Sequence, residues 1–168
     1  MDVALWDICA KAAKLPLYQY LGAYRDQLPV YASGLFHEKA RDYVDEALYY
    51  RSRGIRAYKA HPPGPCREDM RIHQMLREAV GSDMELMSDP VAEYTLDEAI
   101  RVGRQLEKLD YVWLEEPFRD FELHKYTQLC AALDLPIAAT ETTRGCHWGV
   151  AQVIAQKAAD IVRADVSW

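Results

Sequence analysis

Six short β-prone runs recur along this chain, and each closes on a polar residue. The closing residues are Ser33, His61, Asp89, Glu115, Glu141 and Asp165, spaced about 24–28 residues apart. That spacing is one strand plus one crossover helix with its loops. Parallel neighbours need such a crossover, and crossovers of this kind are right-handed, so the period restricts the fold to βαβ units around a parallel sheet. A polar residue at the carboxyl end of every strand is the arrangement of a barrel mouth. An open doubly wound sheet would instead place its ligand at one switch point, and no Gly-x-Gly-x-x-Gly follows the first strand. The expectation is an α/β chain supplying about six strands of a TIM-type (β/α) barrel.

Local signals place the elements. Strands are expected over Pro29 to Ser33, Ile55 to His61, Met84 to Asp89, Tyr111 to Glu115, Leu135 to Thr140 and Asp160 to Ala164. Helices are expected over Glu38 to Arg53, Arg67 to Val80, Thr95 to Lys108, Phe121 to Leu133 and Trp148 to Lys157. In the second of these, Ile72, Met75, Leu76 and Ala79 share one face at helical spacing. Gly54 and Gly81 stand where helices end. Thr95 reads as an N-cap, with Asp97 and Glu98 at the helix's positive end. Ahead of the repeat, Asp2 to Tyr20 reads as an amphipathic helix ending at Leu15-Pro16. Its stripe of Ala4, Leu5, Ile8 and Ala12 is expected to pack on something outside the first strand.

The 168 residues, half of them hydrophobic, suffice for one compact domain. A net charge of -6 argues against a nucleic-acid surface. No apolar run approaches a membrane span, and the first residues lack a signal peptide's basic start and apolar stretch. Cys9, Cys66, Cys130 and Cys146 are scattered without a C-x-x-C pair, which argues against a disulfide framework or a zinc site and for a cytoplasmic setting.

Asp89, Glu115 and Glu141 would close three consecutive strands and point into one mouth. Any one of them alone reads as an exposed loop acid. Three in phase with the repeat would repel strongly unless a cation lay between them, and hard oxygen ligands select Mg²⁺ or Mn²⁺ over zinc. Lys59 and His61, two apart on a strand, face one side and would set a base beside that metal, with the pKa of Lys59 lowered by Mg²⁺ and His61 nearby. The plainer readings are a snorkelling lysine and a histidine capping a strand before Pro62-Pro63. Asp165 would orient a histidine on a later strand, or serve as a helix N-cap. Glu116 should point away from Glu115 and play a supporting part. Arg144 and His147 stand near enough to Glu141 to meet a substrate carboxylate. His73 and His124 read as helix-surface residues, and Tyr49, Tyr50 and Tyr58 as packing.

At the level of motifs the chain resembles the mandelate racemase/muconate lactonizing enzyme subgroup of the enolase superfamily. The matching residues are Ala4-Leu5-Trp6-Asp7-Ile8 with Lys11, Pro29-Val30-Tyr31-Ala32-Ser33-Gly34, Tyr58-Lys59-Ala60-His61 and Leu86-Met87-Ser88-Asp89. Trp113-Leu114-Glu115-Glu116-Pro117, Ala139-Thr140-Glu141 and Arg163-Ala164-Asp165 complete the set, in the family's order. The resemblance implies that Asp89, Glu115 and Glu141 hold Mg²⁺, which binds a substrate carboxylate and stabilises the enediolate left when the α-proton departs. Lys59 matches the first lysine of the family's Lys-x-Lys pair, and His61 stands in place of the second, the usual base. Val91 stands where many members carry an asparagine. Asp165 matches the aspartate of an Asp-His dyad.

On that resemblance, residues 1–27 are the last helix of a capping domain with its linker, and residues 28–168 are strands one to six of the barrel domain. Strands seven and eight, with the dyad histidine and an acid, fall beyond Trp168. The chain as given is therefore expected to be weakly active or inactive and prone to associate, since strands one and six keep open edges. The implied activity is dehydration of a small carboxylate substrate, a sugar acid, with neither nucleic acid nor membrane as partner and a homo-oligomer for full-length relatives. Racemisation or epimerisation of a 2-hydroxy acid, and a non-catalytic remnant that binds only metal or a partner, stay open as alternatives.

Overall fold

A computed structural model describes residues 1–143 and 145–164, apart from the side chain of Cys146. Asp165, expected to orient a histidine, and Arg144 lie outside the described residues. The described chain divides into two units, residues 1–30 and 31–164.

In the first unit, α1 (Asp2–Ala13) ends at Lys14 in the left-handed conformation, and Pro16 then opens the short α2 (Leu17–Tyr20). The helix was expected to end at Leu15-Pro16, and it stops at Ala13, just ahead of that pair, because proline disfavours helical backbone in the residue before it. An Asp7–Lys11 pair at 2.6 Å braces one exposed face. The apolar stripe stays in solvent, with Leu5 54% and Ile8 60% exposed. Within its own unit the helix has only the four-residue α2 to pack on, too little to cover a stripe.

The second unit alternates strands β1 (Ala32–Ser33), β2 (Ala57–Ala60), β3 (Glu85–Ser88), β4 (Leu114–Glu115), β5 (Ile137–Ala139) and β6 (Ile161–Val162) with helices. The helices are α3 (Ala40–Ser52), α4 (Cys66–Val80), α5 (Leu96–Lys108), α6 (Leu123–Ala132) and α7 (Cys146–Ala155). All six strands are parallel and lie in sequence order, β1 to β6. An order without reversal means every crossover runs the same way, which is barrel winding and not doubly wound topology. The strands are shorter than the β-prone runs: Tyr111 to Trp113 lie outside β4, although Val112 N–H still reaches Leu86 O at 2.8 Å. Thr95 caps α5 as expected, in a reciprocal capping box with Glu98. Among the described residues no helix is long and apolar enough to cross a membrane.

Alternation along the strands separates two environments. Tyr58, Ala60, Leu86, Leu114, Ile137 and Ala139 join the apolar core shared with Tyr43, Ile72, Leu76, Val102, Leu106 and Leu129 of the helices. Their neighbours Lys59, Met87 and Glu115 are equally buried but outside that core, on the sheet's other face. The helix-side layer also holds polar groups. His73, expected at the surface, is fully buried on α4 between the Ser88 hydroxyl at 3.0 Å and the Tyr111 hydroxyl at 3.1 Å. It shares the buried face of α4 with Ile72 and Leu76, which its spacing allowed; the expectation failed because an imidazole with both nitrogens paired is cheap to bury. Asp69, one turn earlier, is buried against the Tyr94 hydroxyl at 2.6 Å and the Gly64 amide at 3.2 Å.

Candidate metal centre

Three strand ends converge. Asp89 follows β3, Glu115 ends β4 and Glu141 lies two residues beyond β5. One carboxylate oxygen from each lies within 4.8 Å of the others. Asp89 and Glu115 are buried, at 4% and 1% exposure, while Glu141 is half-buried. Strand alternation alone explains the first two, which share a face with Lys59 and Met87. It would send Glu141 the other way, onto the helix side with Ile137 and Ala139. Thr140 reverses that: its φ of 90° is left-handed, and Glu141 turns back into the mouth. Each acid has such a bend beside it, at Val91 (φ 53°), Glu116 (φ 38°) and Thr140.

The acids are held by cations from neighbouring strands. Lys59 Nζ lies 3.0 Å from Asp89 Oδ2 and 2.8 Å from Glu115 Oε2. Arg163 Nη1 bridges Glu115 Oε1 at 2.5 Å and Glu141 Oε2 at 2.6 Å. Trp113 Nε1 donates to Glu115 Oε2 at 3.1 Å, and the Val91 amide to Asp89 Oδ1 at 3.0 Å. His61 pairs its Nδ1 with Gly34 O at 2.8 Å, which leaves Nε2 facing Asp89 Oδ2 at 3.3 Å.

Burial works against the charge on Lys59 and His61, yet both are raised above their ordinary values, because Asp89, and for Lys59 also Glu115, outweighs it. The expectation for Lys59 was a lowering, drawn from Mg²⁺ and His61 beside it. It counted the metal and the histidine and left out the carboxylates, which touch Lys59 and dominate. Asp89 is lowered: burial opposes its charge, and His61 and Lys59 overcome it. Arg163 is likewise raised, with burial outweighed by Glu115 and Glu141.

The donor set suits a hard divalent cation. It is all oxygen and it sits at the ends of neighbouring parallel strands. Mutual repulsion between carboxylates at such separations is about 4 kcal/mol per pair near a protein surface, so the cluster requires cations of some kind.

Gly34 is fitted against this site. A Cβ there would overlap the Tyr58 hydroxyl and sit 2.7 Å from Glu46 Oε2, while Gly34 O anchors His61. Gly34→Ala is expected to cost about 1–3 kcal/mol in urea unfolding, as overpacking does. An unchanged midpoint would show that Tyr58 yields freely.

Arg163 was named in the sequence only as part of a motif, and its contact with the acids was missed. The sixth repeat was taken to close on Asp165, but β6 ends at Val162, paired with Ala139, so Arg163 stands beside Thr140 at the mouth. The sequence carried no signal for it, because the β-prone run Leu135 to Thr140 is twice as long as the β5 that forms. His147 is exposed and stacks on Trp148, ring centres 4.5 Å apart.

A family model described as enolase C-terminal domain-like matches residues 42–168, and the chain belongs to that family. It is an enolase-superfamily barrel segment of the mandelate racemase/muconate lactonizing kind. Over 98% of its length it is 36% identical to L-talarate/galactarate dehydratase of Salmonella typhimurium, covering 42% of that protein. It is 34% identical to arabinonate dehydratase of Saccharolobus solfataricus, across all of this chain and 46% of that one. D-glucarate dehydratase from Agrobacterium tumefaciens, solved as a magnesium complex, superposes on 96% of the chain with a TM-score of 0.92 and 33% identity, over 46% of its own length. The chain thus spans less than half the length of these relatives.

Proposed function

We propose that this chain carries the metal-holding and proton-abstracting side of a Mg²⁺-dependent sugar-acid dehydratase, with a hexaric or aldonic acid as substrate. The observation that carries the reading is the convergence of Asp89, Glu115 and Glu141 beside Lys59 and His61. These three acids would hold the ion. Bound there, Mg²⁺ would offset the charge that builds on a substrate carboxylate as the neighbouring C–H bond is broken. The chain's own groups do the rest. His61, oriented through Gly34 O, presents Nε2 to take the α-proton. Lys59 keeps a fixed positive charge against Asp89 and Glu115, so an anionic substrate meets a neutralised mouth. The domain division at residue 27 belongs to the same reading, with residues 28–168 as the barrel part.

Calorimetry tests the site. The chain should bind one Mg²⁺, and Glu115→Ala should weaken it by more than about a hundredfold, the upper cost of losing a mere supporting partner. Equal Mg²⁺ binding by the variant would remove the site. Exchange of a galactarate α-proton with solvent deuterium, lost in His61→Ala, would then report the abstraction step.

A further inference from the structure

Glu116 is the acid beside a proposed metal ligand, and its side chain does not touch the metal cluster's cations. Its Oε1 accepts the Glu141 amide at 2.8 Å and the Thr142 amide at 3.3 Å, and its Oε2 the Thr142 hydroxyl at 3.3 Å. Its backbone spans both flanks: Glu116 N–H donates to Ala138 O at 2.9 Å, and Glu116 O accepts from Ala92 N–H at 2.8 Å. One residue therefore ties the loop after Asp89 and the turn carrying Glu141 to the end of β4.

The turn it grips is the one that breaks the strand rule. Thr140 is β-branched and left-handed, a conformation that costs free energy and persists only when surroundings impose it. The two amides that follow Thr140 are the ones Glu116 accepts. Thr140 is also tied to Arg163 through its hydroxyl, at 2.6 Å to Arg163 O.

We infer that Glu116 is a positioning residue, whose carboxylate holds the left-handed turn at Thr140 and so aims Glu141 at Asp89 and Glu115. The inference rests on the proposed metal site, but the brace itself is a property of the protein alone. A cavity of about 660 Å³ opens beside it, lined in part by Ala92, Glu116, Thr142, Thr143, Gln152 and Val153. Water entering from that cavity can satisfy the two amides when the carboxylate is gone, so a truncated variant should fold while its turn loosens.

Two measurements on Glu116→Ala and Glu116→Gln separate the cases. Amide hydrogen exchange, read in the presence of a chelator, should quicken at Glu141 and Thr142 by at least about tenfold in the alanine variant and little in the glutamine variant, which keeps an acceptor. Mn²⁺ binding, followed by electron paramagnetic resonance, should weaken about 10–100-fold with alanine, with broadened lines from a less uniform site, and be largely rescued by glutamine. Unchanged exchange in the alanine variant overturns the brace. Quickened exchange with unchanged Mn²⁺ affinity overturns the link to Glu141. A wild-type chain that binds no Mn²⁺ defeats the metal reading, while the exchange result still decides whether Glu116 holds the turn. Loss of binding equal in both variants assigns the effect to charge and overturns positioning.

Discussion

Lys59→Met is expected to cost the chelator-treated chain about 3–5 kcal/mol of stability, and saturating Mg²⁺ to return much of it. Methionine fills most of the lysine's volume, so no large cavity is made and the loss reports charge. Asp89 and Glu115 would be left at 4% and 1% exposure without the cation that touches both. Breaking a buried pair from one side costs this much because the stranded charge stays desolvated. The remaining partners keep the loss from being larger. Asp89 retains His61 and the Val91 amide, and Glu115 retains Arg163 and Trp113. A divalent ion among the same oxygens would take over the lysine's role, so the stabilisation by Mg²⁺ should be greater in the variant than in the wild type. Urea unfolding of both proteins, with chelator and with MgCl₂, gives the four stabilities needed. A loss below about 1 kcal/mol, the scale of an exposed pair, would contradict the burial argument. Equal Mg²⁺ effects in the two proteins would contradict the shared site.

The second large effect lies on α4 and is read by pH. Burial pulls His73 from 6.5 down to about 3. Between those values the unfolded chain takes up a proton and the folded chain does not. This group therefore lowers stability as pH falls through that window, by about 1.4 kcal/mol per unit. Asp69 acts in the opposite sense. Burial pushes it from 3.8 up to about 6, against the Tyr94 and Gly64 hydrogen bonds that favour its charge. Between those values the folded chain holds a proton that the unfolded chain has lost, so stability rises as pH falls from about 6 to about 4. The two slopes oppose each other over that shared range. Asp69→Asn removes the compensation. Relative to wild type, the variant should be favoured at neutral pH and lose that advantage by roughly 3 kcal/mol on going to pH 4. His73→Gln should do the reverse and gain on wild type in acid. Acids such as Asp89, Glu98 and Glu107, whose pKa values are lowered, add a slope common to all three proteins, which cancels in the differences. Urea unfolding across the acid range reads both. A difference between Asp69→Asn and wild type that stays constant with pH would show that this carboxyl titrates normally.

Most of the architecture was legible because it rests on periodicity. Apolar residues at helical spacing marked the buried face of α4, the Thr95–Glu98 box marked the start of α5, and the regular return of a polar residue marked the strand ends. The strand boundaries were less legible. Tyr111 to Trp113 are as β-prone as any run here, yet they lie outside β4, because propensity says which residues fit a strand and not how many find a partner. The candidate site divided along the same line. Asp89 and Glu115 obey strand alternation, so their convergence followed from the repeat. Glu141 violates it, and its place in the cluster depends on the bend at Thr140, which a β-branched residue gives no reason to expect.

The three carboxylates and their phase with the strands were determined by the sequence itself, through a period that only a crossover-linked parallel sheet satisfies. Tertiary structure alone decided what surrounds them. Arg163 reaches Glu115 from 48 residues away, Glu116 turns back to grip Glu141, and His73 leaves the surface for a pocket between Ser88 and Tyr111. Each of these depends on which backbone turns the packed strands impose and on which polar atoms then lie within hydrogen-bond reach. No local pattern encodes that, because hydrogen-bond partners distant in sequence become neighbours only once the strands have paired.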